Sequence, residues 1–417
     1  MAEAADTKRR FRRISAAGIF FQGGAAAVDT STVVAALVHG LTGSALAVGA
    51  AAAIARFGWL FPQLFVAYYA QQRTRRLPFY AVGAFGRAAC LGLLAALLWH
   101  VSTPASVPAV VLFFAIWSAY AFVSGIVAVP YNDIVARSIP SGERSRMLAL
   151  RFFGGGLLAL GVAAAANRML AALPFPAGYG ALLALGAALL LLSAVSFVSA
   201  GEPAAPAQAC VAAGFAKFAR RGLDTFHLDR RFRLFVFSQW LGAAAAMALP
   251  FYILLANSSA ADVAFLLGAQ TAGALLSNPF WGWCGDRRGK RDLLVLVAAF
   301  GAAPPALALA YIAAGGRWGE AALAYFSIVF LLLGAAGNGG TIAQLGYLME
   351  ISPDDRRPAY SGYFNMLVAP AALLLLAGGA LADAGLVTAV FAASLAAAAL
   401  QFAILRRLHS VPAGVQS

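Results

Sequence analysis

Long apolar segments alternate with short polar stretches along almost the whole chain. A helix of about 20 apolar residues crosses a bilayer core of about 30 Å, and most of these segments reach that length. The alternation therefore predicts twelve transmembrane helices in two sets of six. The first set is predicted at residues 14–38, 44–70, 78–99, 106–130, 146–171 and 177–199. The second set is predicted at residues 232–256, 261–284, 292–314, 321–349, 360–382 and 385–405.

A polar stretch at residues 201–231 separates the two sets and contains no apolar run of spanning length. It predicts a cytoplasmic linker between an N-terminal bundle, residues 1–200, and a C-terminal bundle, residues 232–417. The halves also resemble each other, since Phe20-Phe21-Gln22 matches Phe237-Ser238-Gln239 at an offset of 217 residues. Such similarity is typical of internal repeats in membrane transporters. The expected fold is an all-α integral membrane protein of two pseudo-symmetric six-helix bundles.

Composition and charge agree with a membrane protein. Hydrophobic residues make up 62% of the chain and charged residues only 11%, whereas soluble domains contain about 25% charged residues. The net charge of +14 would suit a nucleic-acid-binding protein, but the basic residues lie in short clusters on alternate loops, as the positive-inside rule predicts. We therefore expect a multi-pass plasma-membrane protein in a lipid bilayer, with both termini cytoplasmic and no nucleic-acid partner.

The segment that ends the eighth predicted span has an acid, a glycine and basic residues in a fixed order. Its pattern, G-x-x-x-D-R-x-G-K-R, contains Gly282, Asp286, Arg287, Gly289, Lys290 and Arg291. Together with the twelve-span pattern, this resembles the loop signature of the major facilitator superfamily. The resemblance implies alternating access, in which the two halves rock around a central site and this loop acts as a cytoplasmic gate. It also implies that Asp286 pairs with a fifth-span arginine, Arg146 or Arg151.

The matching segment of the N-terminal half departs from this pattern. Gln71 stands where the acid belongs, and Thr74 stands where the glycine belongs. An acid-based gate of the same kind is therefore not expected in that half.

Asp29 is the most informative single residue, because an ionisable side chain inside an apolar span is expensive and is by default a functional hypothesis. Ser15, Gln22 and Asp29 are spaced by seven residues, so they fall within about 40° of one another around a helix. Arg56 lies at a similar depth in the second span, and Asp29 and Arg56 are predicted to meet as a charge pair. Two interpretations stay open: a proton-coupling site, or a static ion pair that locks spans one and two.

Further polar and aromatic residues inside the predicted spans are candidates for a substrate cavity. They are Gln22, Gln239, Arg87, Tyr120, Trp240, Gln270, Asn338 and Asn365. Gln22 and Gln239 hold matching positions in the two halves, whereas the others are equally consistent with helix packing, interhelical hydrogen bonds or interfacial anchoring. If Arg56 and Arg87 both faced a cavity balanced only by Asp29, the site would be net positive and would suit an anionic substrate.

Secondary active transport of a small solute, coupled to protons through Asp29, is the predicted function. The sequence contains none of the common catalytic, ATP-binding or zinc-binding patterns, so it predicts no enzyme activity, no cofactor and no metal site. Uniport and anion exchange remain as alternative transport modes. A non-transporting membrane assembly factor or receptor of the same fold is the alternative from another class. The expected partners are the small-molecule substrate and protons, and the expected state is a monomer.

Overall fold

The computed structural model of the chain describes residues 2–101, 105–203, 214–256, 259–316, 318–319, 321–352 and 357–408. All secondary structure in these ranges is helical. Two predicted regions lie partly outside the described residues, namely 204–213 of the linker and 409–417 of the cytoplasmic tail. The helices of the N-terminal half are α1 (Ala2–Ala26), α2 (Val33–Thr42), α3 (Ala45–Leu60), α4 (Pro62–Gln71), α5 (Leu77–His100), α6 (Val107–Ser138), α7 (Ser141–Ala172) and α8 (Ala177–Val198).

The remaining helices begin within the predicted linker and continue through the C-terminal half. Two 3-10 segments, Ala246–Phe251 and Ala369–Ala372, lie within this part of the chain. The α-helices are α9 (Phe215–Leu228), α10 (Arg230–Ala245), α11 (Tyr252–Leu255), α12 (Ala260–Arg287), α13 (Lys290–Gly301), α14 (Ala303–Ala313), α15 (Ala321–Ile351), α16 (Arg357–Val368), α17 (Leu373–Asp383) and α18 (Val387–Arg406).

Ten helical segments in the described ranges are long and apolar enough to cross a membrane. The interrupted pair α1–α2 and the polar-containing helix α12 pack within the same bundles and complete the twelve-span arrangement. Several helices extend beyond the predicted spans, since α1 begins at Ala2 and α6 continues to Ser138. These extensions are polar, so hydropathy located the apolar part of each helix and missed its ends.

Five spans are built from two or three consecutive helical segments rather than one. In four of them a proline lies at the junction: Pro62 in span 2, Pro250 in span 7, Pro304 in span 9 and Pro370 in span 11. Proline removes a backbone donor and clashes with the preceding turn, which interrupts the helix. Span 1 is interrupted at residues 27–32, where the sequence has no proline and contains Asp29 instead.

Small residues allow the two halves to approach closely. Within each half, α1 packs on α7 and α8, and α12 packs on α15. Between the halves, α7 contacts α12 and α3 contacts α17. A Cβ atom added to Gly49 would lie only 2.8 Å from Gly379 Cα, so the backbones of spans 2 and 11 are nearly in contact. Around Asp29, span 1 also contacts spans 7 and 8 through α2, so this region lies at the boundary between the halves.

Candidate transport site

The Asp29 carboxylate holds the interruption in span 1. Its Oδ1 accepts hydrogen bonds from the backbone N–H groups of Ser31, at 3.0 Å, and Thr32, at 2.9 Å. The hydroxyls of the same two residues also donate to Oδ1, at 2.6 and 2.8 Å. An Asp side chain that binds the backbone two and three residues ahead replaces bonds that the broken helix has lost. The local sequence Asp29-Thr-Ser-Thr32 therefore fixes both the break and the orientation of the carboxylate.

The second oxygen of Asp29 reaches the other half of the protein. Gln270 Nε2, on α12, donates to Asp29 Oδ2 at 3.2 Å. Ser31 Oγ also lies 3.1 Å from Gln270 Oε1, although its single hydroxyl hydrogen serves either this acceptor or Asp29 Oδ1 at one time. Span 1 and span 8 are thus joined by a polar contact that depends on the Asp29 carboxylate.

A cavity of about 310 Å³ lies beside this contact, between spans 1 and 5 of one half and spans 8 and 10 of the other. Its volume is at the lower end of the range for small-molecule sites, about 300 to 1,000 Å³. Much of the wall is formed by Ala, Gly, Leu and Phe, with polar groups contributed by both halves. The polar lining residues are Gln22, Asp29, Gln270, Thr271, Asn278, Asn338 and Thr341.

Two asparagines organise the polar wall on the C-terminal side. Asn338 Nδ2, on α15, donates to Asn278 Oδ1, on α12, at 2.8 Å and to Ala274 O at 3.2 Å. These bonds use the donor side of Asn338 and the acceptor side of Asn278. The Asn338 Oδ1 acceptor and the Asn278 Nδ2 donor are left for another partner, so the wall offers both hydrogen-bonding types.

Three of the predicted substrate-cavity residues, Gln22, Gln270 and Asn338, line this cavity, together with Asp29, which was predicted as the proton-coupling residue. Gln22 lies against Gly155 of span 5, where an added Cβ would approach the glutamine side chain to 2.6 Å. The sequence interpretation did not include Asn278, Thr271 or Thr341. Asn278 precedes Pro279 within α12. Its position as a polar residue in an apolar span could have identified it from the sequence.

Arg56 does not meet Asp29, so the predicted charge pair is not formed. No described residue makes an ion pair with Arg56. Arg56 follows Ala52 by four residues and Gly49 by seven, and these two residues pack against span 11. Residues at this spacing share a helix face, so Arg56 lies on the face toward span 11, whereas Asp29 reaches span 8. Arg56 and Asp29 were matched by their predicted depth in the membrane, but the two side chains lie on helix faces that point to different spans.

The other predicted aromatic and cationic residues lie away from this cavity. Arg87 is 2% exposed, with its guanidinium carbon 4.7 Å from the centroid of the Phe21 ring. Tyr120 stacks on Trp117 with ring centroids 5.1 Å apart. Trp240 Nε1 donates to Leu367 O at 2.9 Å, within the C-terminal half. The contacts of Tyr120 and Trp240 pack helices together within their own halves.

The remaining predicted pair of amides also makes contacts outside the cavity. Gln239 is buried, and its Nε2 lies 3.4 Å from Ser238 Oγ. Asn365 Nδ2 donates to Gln63 Oε1 at 2.6 Å. The latter bond links span 11 to span 2, so it joins the halves at a second place. Gln22 and Gln239 match in sequence but occupy different environments.

Among the described residues, the hydrogen bonds and ion pairs of the predicted gate loop stay within the C-terminal half. Lys290 Nζ lies 3.4 Å from Asp286 Oδ1, and the Asp286 side chain is 82% exposed. Arg291 donates to Asp292 at 2.7 Å and to Arg406 O at 2.8 Å. Gly289 has a φ of 84°, which favours glycine at the turn after Arg287.

The expected contact of Asp286 with Arg146 or Arg151 is not formed in this structure. Arg146 packs its guanidinium carbon 5.7 Å from the Phe11 ring, and Arg151 Nη1 donates to Tyr131 at 2.8 Å. Both arginines therefore contact their own half. Pairing across the halves depends on how the halves are positioned, which a loop sequence does not specify.

A charge network in the N-terminal half was missed by the sequence interpretation. Arg76 and Arg137 both pair with Asp133, and Arg137 also pairs with Glu202. Glu202 accepts hydrogen bonds from the backbone N–H groups of Arg76 and Leu77, each at 2.9 Å. The spacing of Asp133 and Arg137 by four residues on one helix was a usable signal. The network ties the ends of spans 3, 4 and 6 together.

Burial and hydrogen bonding act in opposite directions on Glu202. Burial alone would raise the pKa of its carboxyl group, but the Arg137 guanidinium and the backbone donors of Leu77 and Arg76 outweigh it. The pKa of Glu202 is therefore held below its ordinary value.

Comparisons with known proteins are informative at the level of the fold. The chain matches no protein-family model and no curated protein. An auto-inhibited peptide transporter of the POT family aligns with a TM-score of 0.71 at 12% identity, covering 99% of each chain. A D-xylose-proton symporter aligns with a TM-score of 0.70 at 15% identity, covering 96% of this chain and 98% of that one. The nucleoside transporter NupG aligns with a TM-score of 0.65 at 14% identity, covering 96% and 98%.

These similarities extend over nearly the full length of the chain and of each solved structure. The TM-scores of 0.65 to 0.71 show that the helices are arranged in the same way, and at identities of 12 to 15% the similarity is one of fold alone. The chain is therefore a multi-pass membrane protein with the fold of the major facilitator superfamily transporters.

Proposed function

We propose that the protein is a secondary transporter that moves a small solute by alternating access and couples this movement to protons at Asp29. The observation that carries the proposal is the hydrogen bond between Asp29 and Gln270, 3.2 Å long, at the wall of a cavity between the halves. An ionisable group, an inter-half contact and a solute-sized cavity coincide there. A proton or a solute at this place would act directly on the contact between the halves.

Protonation of Asp29 would change what this contact can do. The ionised Oδ2 accepts from the Gln270 amide, whereas a protonated Oδ2 carries a donor hydrogen. Two donors cannot share a hydrogen bond, so Gln270 must rotate to present Oε1 or separate from Asp29. Oδ1 keeps its four local donors in either case. Asp29 therefore has a different affinity for the proton when the halves are joined at Gln270 and when they are separated. A ligand shifts the equilibrium between two conformations only through such a difference in affinity.

The structural neighbours support this proposal by analogy. Those named above are a peptide transporter, a nucleoside transporter and a D-xylose-proton symporter, so the fold carries small polar solutes and is used with proton coupling. A receptor or assembly factor would not need an ionisable group beside an inter-half cavity. We therefore favour transport over the non-transporting alternative.

The test is solute uptake into proteoliposomes with and without an imposed pH gradient, using labelled sugars, nucleosides, dipeptides and organic acids. Wild-type protein is expected to accumulate at least one class when the gradient is imposed. Asp29→Asn is expected to lose this accumulation but to retain exchange of the same solute between the two sides. An Asp29→Asn protein that still accumulates solute in response to the gradient would contradict the proposal.

Asp383→Asn provides the matched control. Asp383 Oδ1 accepts from Ser44 Oγ at 3.0 Å and thus also joins the halves, but it lies outside the cavity. Its substitution is expected to leave gradient-driven accumulation in place. Loss of accumulation in both variants would indicate that any weakened inter-half contact has this effect, and that Asp29 has no special role.

A further inference from the structure

Arg87 and Arg151, inside the N-terminal bundle, have no acidic partner among the described residues, as is also true of Arg56 on the face toward span 11. Arg87, on α5, is 2% exposed, and its buried Nε has no acceptor among the described residues. Arg151, on α7, donates from Nη1 to Tyr131 at 2.8 Å, but its buried Nε has no acceptor. Burying a cation without a counter-charge is strongly unfavourable. A compensating anion is therefore the expected missing partner.

The two guanidinium groups meet at one aromatic ring. The guanidinium carbon of Arg87 lies 4.7 Å from the Phe21 ring centroid, and that of Arg151 lies 5.6 Å from the same centroid. The two arginines also repel each other electrostatically. A cation–π contact is worth about 0.5 to 2 kcal/mol, which is smaller than the several kcal/mol by which a buried ion is disfavoured. Phe21 therefore positions the two cations without neutralising them.

The acids within spans 1 to 6 do not supply the counter-charge. Residues 14–199 contain three acids, Asp29, Asp133 and Glu143. Asp29 is bonded to Ser31, Thr32 and Gln270, and Asp133 is paired with Arg76 and Arg137. Glu143 is exposed in the first turn of α7. None of the three makes an ion pair with Arg87 or Arg151.

The arginine pair lies directly behind the wall of the transport cavity. Gln22 follows Phe21 in span 1, and Phe152 follows Arg151 in span 5; both of these neighbours line the cavity. The Arg151 guanidinium carbon also lies 5.7 Å from the Phe152 ring centroid. One group of a solute in the cavity would therefore have to pass between the Gln22 and Phe152 side chains to reach the arginines.

Resting on the proposed transport function, we propose that the transported solute is an organic anion whose carboxylate or phosphate oxygens bind Arg87 and Arg151 beside Phe21. Guanidinium groups present a planar set of donors that matches two oxygens of such a group. The bound anion would satisfy the free donors and remove the repulsion between the two arginines. The rest of the solute would occupy the cavity next to Gln22.

The first test is thermal stabilisation of the detergent-solubilised protein by matched pairs of probes. The anions are succinate, benzoate and glycerol 3-phosphate, and their neutral counterparts are succinamide, benzamide and glycerol. A ligand that binds only the folded protein raises Tm, so at least one anion should raise the wild-type Tm while its neutral counterpart does not. No anion-specific rise in wild-type protein would overturn the inference.

Substitutions at Arg87 make this test specific to the site. Arg87→Gln should raise the half-maximal anion concentration by about tenfold to a hundredfold, the effect of losing a charged hydrogen bond. Arg87→Lys should fall between wild type and Arg87→Gln, since it keeps the charge and loses the planar fork. Arg56→Gln removes a cation from the same half away from Phe21, so it should leave the anion response unchanged. An anion response that survives Arg87→Gln would overturn the inference.

The Tm without ligand separates binding from packing. Arg87→Gln removes an unpaired charge, so its ligand-free Tm should equal or exceed that of wild type. If Arg87 only packs against Phe21, the same variant should lower Tm and leave any anion response intact. That result would also overturn the inference.

The two proposals fail in different ways. Gradient-driven uptake of neutral solutes, lost in Asp29→Asn, without any anion-specific rise in Tm would support proton-coupled transport and reject the anion site. An anion-specific rise in Tm that Arg87→Gln removes, without transport of that anion under any gradient, would support the site and reject the transport proposal.

Discussion

The first span of each half is interrupted at matching positions, and the two interruptions differ in chemistry. Ala246 follows Asp29 by the same offset of 217 residues that relates Gln22 to Gln239. In span 7 the backbone runs as a 3-10 helix over Ala246–Phe251, which includes Pro250. In span 1 the interruption holds a carboxylate that binds its own backbone and the opposite half.

The comparison shows that an interruption needs no charge in this fold. Proline interrupts span 7, as it does spans 2, 9 and 11, by removing a donor and by steric clash. An ionisable group at the same depth is energetically expensive. An ionisable residue is therefore not needed to interrupt the helix at this position. This is the reason for giving Asp29 a functional role.

The charge clusters at the helix ends also differ between the two halves. Arg76, Asp133, Arg137 and Glu202 form a connected network that joins three spans of the N-terminal half. In the C-terminal half, Asp286 pairs only with Lys290 on the adjoining helix and is 82% exposed. The charged groups of the N-terminal network are thus paired within their own half. The exposed Asp286 carboxylate of the C-terminal loop is accessible to another partner.

Asp29→Leu is expected to cause the largest loss of stability, because it removes one acceptor shared by two backbone N–H groups and breaks the bond with Gln270. Each buried donor left unsatisfied is destabilising by about 1 to 3 kcal/mol, so we expect the free energy of unfolding to fall by about 3 kcal/mol or more. Denaturant titration in detergent micelles measures this. Ala246→Ser, at the matching position of span 7, should change it by about 0.5 kcal/mol at most. Equal losses in both variants would remove the distinction between the two interruptions.

Gly334→Ala tests the closest helix approach in the C-terminal half. A Cβ at Gly334 would lie 1.8 Å from the backbone oxygen of Gln270, so α12 and α15 must separate. Overpacking of this kind is destabilising by about 1 to 3 kcal/mol, and we expect the upper part of that range. At Gly83, in the N-terminal half, the nearest atom is a Val127 side-chain carbon at 2.7 Å. Because a side chain can move, Gly83→Ala should have a smaller effect.

The control for this comparison lies on the same helix. A Cβ at Gly340 would meet its nearest atom, in Val297, at 3.9 Å, so Gly340→Ala should leave the unfolding free energy nearly unchanged. If Gly334→Ala and Gly340→Ala have the same effect, close backbone contact is not what holds spans 8 and 10 together.

Hydropathy predicted the fold because it reports the depth of each segment in the membrane. The twelve spans followed from it, and Gln22, Asp29, Gln270 and Asn338 were singled out as polar residues within those spans. Hydropathy does not predict how each helix is rotated about its axis, because Ala-rich and Gly-rich spans have no distinct apolar face. Arg56 was therefore matched to Asp29 by depth, although its helix face packs on span 11.

The arginine pair at Phe21 was beyond sequence reasoning for the same reason. Arg87 and Arg151 lie on different spans, and only the packing of spans 3 and 5 around span 1 brings both to one ring. The partner of Asp286 also depends on the relative position of the two halves, which the sequence does not specify. Contacts within one helix, such as Asp133 with Arg137, were the accessible ones.

Arg137→Gln is expected to weaken the N-terminal charge network by about 2 kcal/mol, because Arg137 makes charged hydrogen bonds to Asp133 and Glu202. The loss should appear as a lower unfolding free energy in micelles. Arg75→Gln, at an exposed basic residue beside Arg76 of the network, is the matched control and should have little effect. A similar loss in both variants would show that this end of the protein responds to its total charge and not to the network.

Stability should also depend on pH through Glu202, whose pKa is depressed in the folded protein. A depressed pKa contributes stability above the unfolded value, 4.5 for this carboxyl group, and loses it as the pH falls through the folded value. Wild-type Tm should therefore decline more steeply below pH 5 or so than the Tm of Glu202→Gln. Parallel curves for the two proteins would contradict a role of Glu202 in acid sensitivity.

Asp286→Asn is expected to have the smallest effect on stability, because an exposed ion pair with Lys290 contributes at most about 1 kcal/mol and commonly less. The unfolding free energy should change by about 0.5 kcal/mol or less, and high salt should abolish the difference. A loss as large as that of Arg137→Gln would require a second, buried partner for Asp286 in another arrangement of the halves. In that case the two charge clusters would be alike in strength, and the C-terminal loop would act as the gate that its sequence pattern implies.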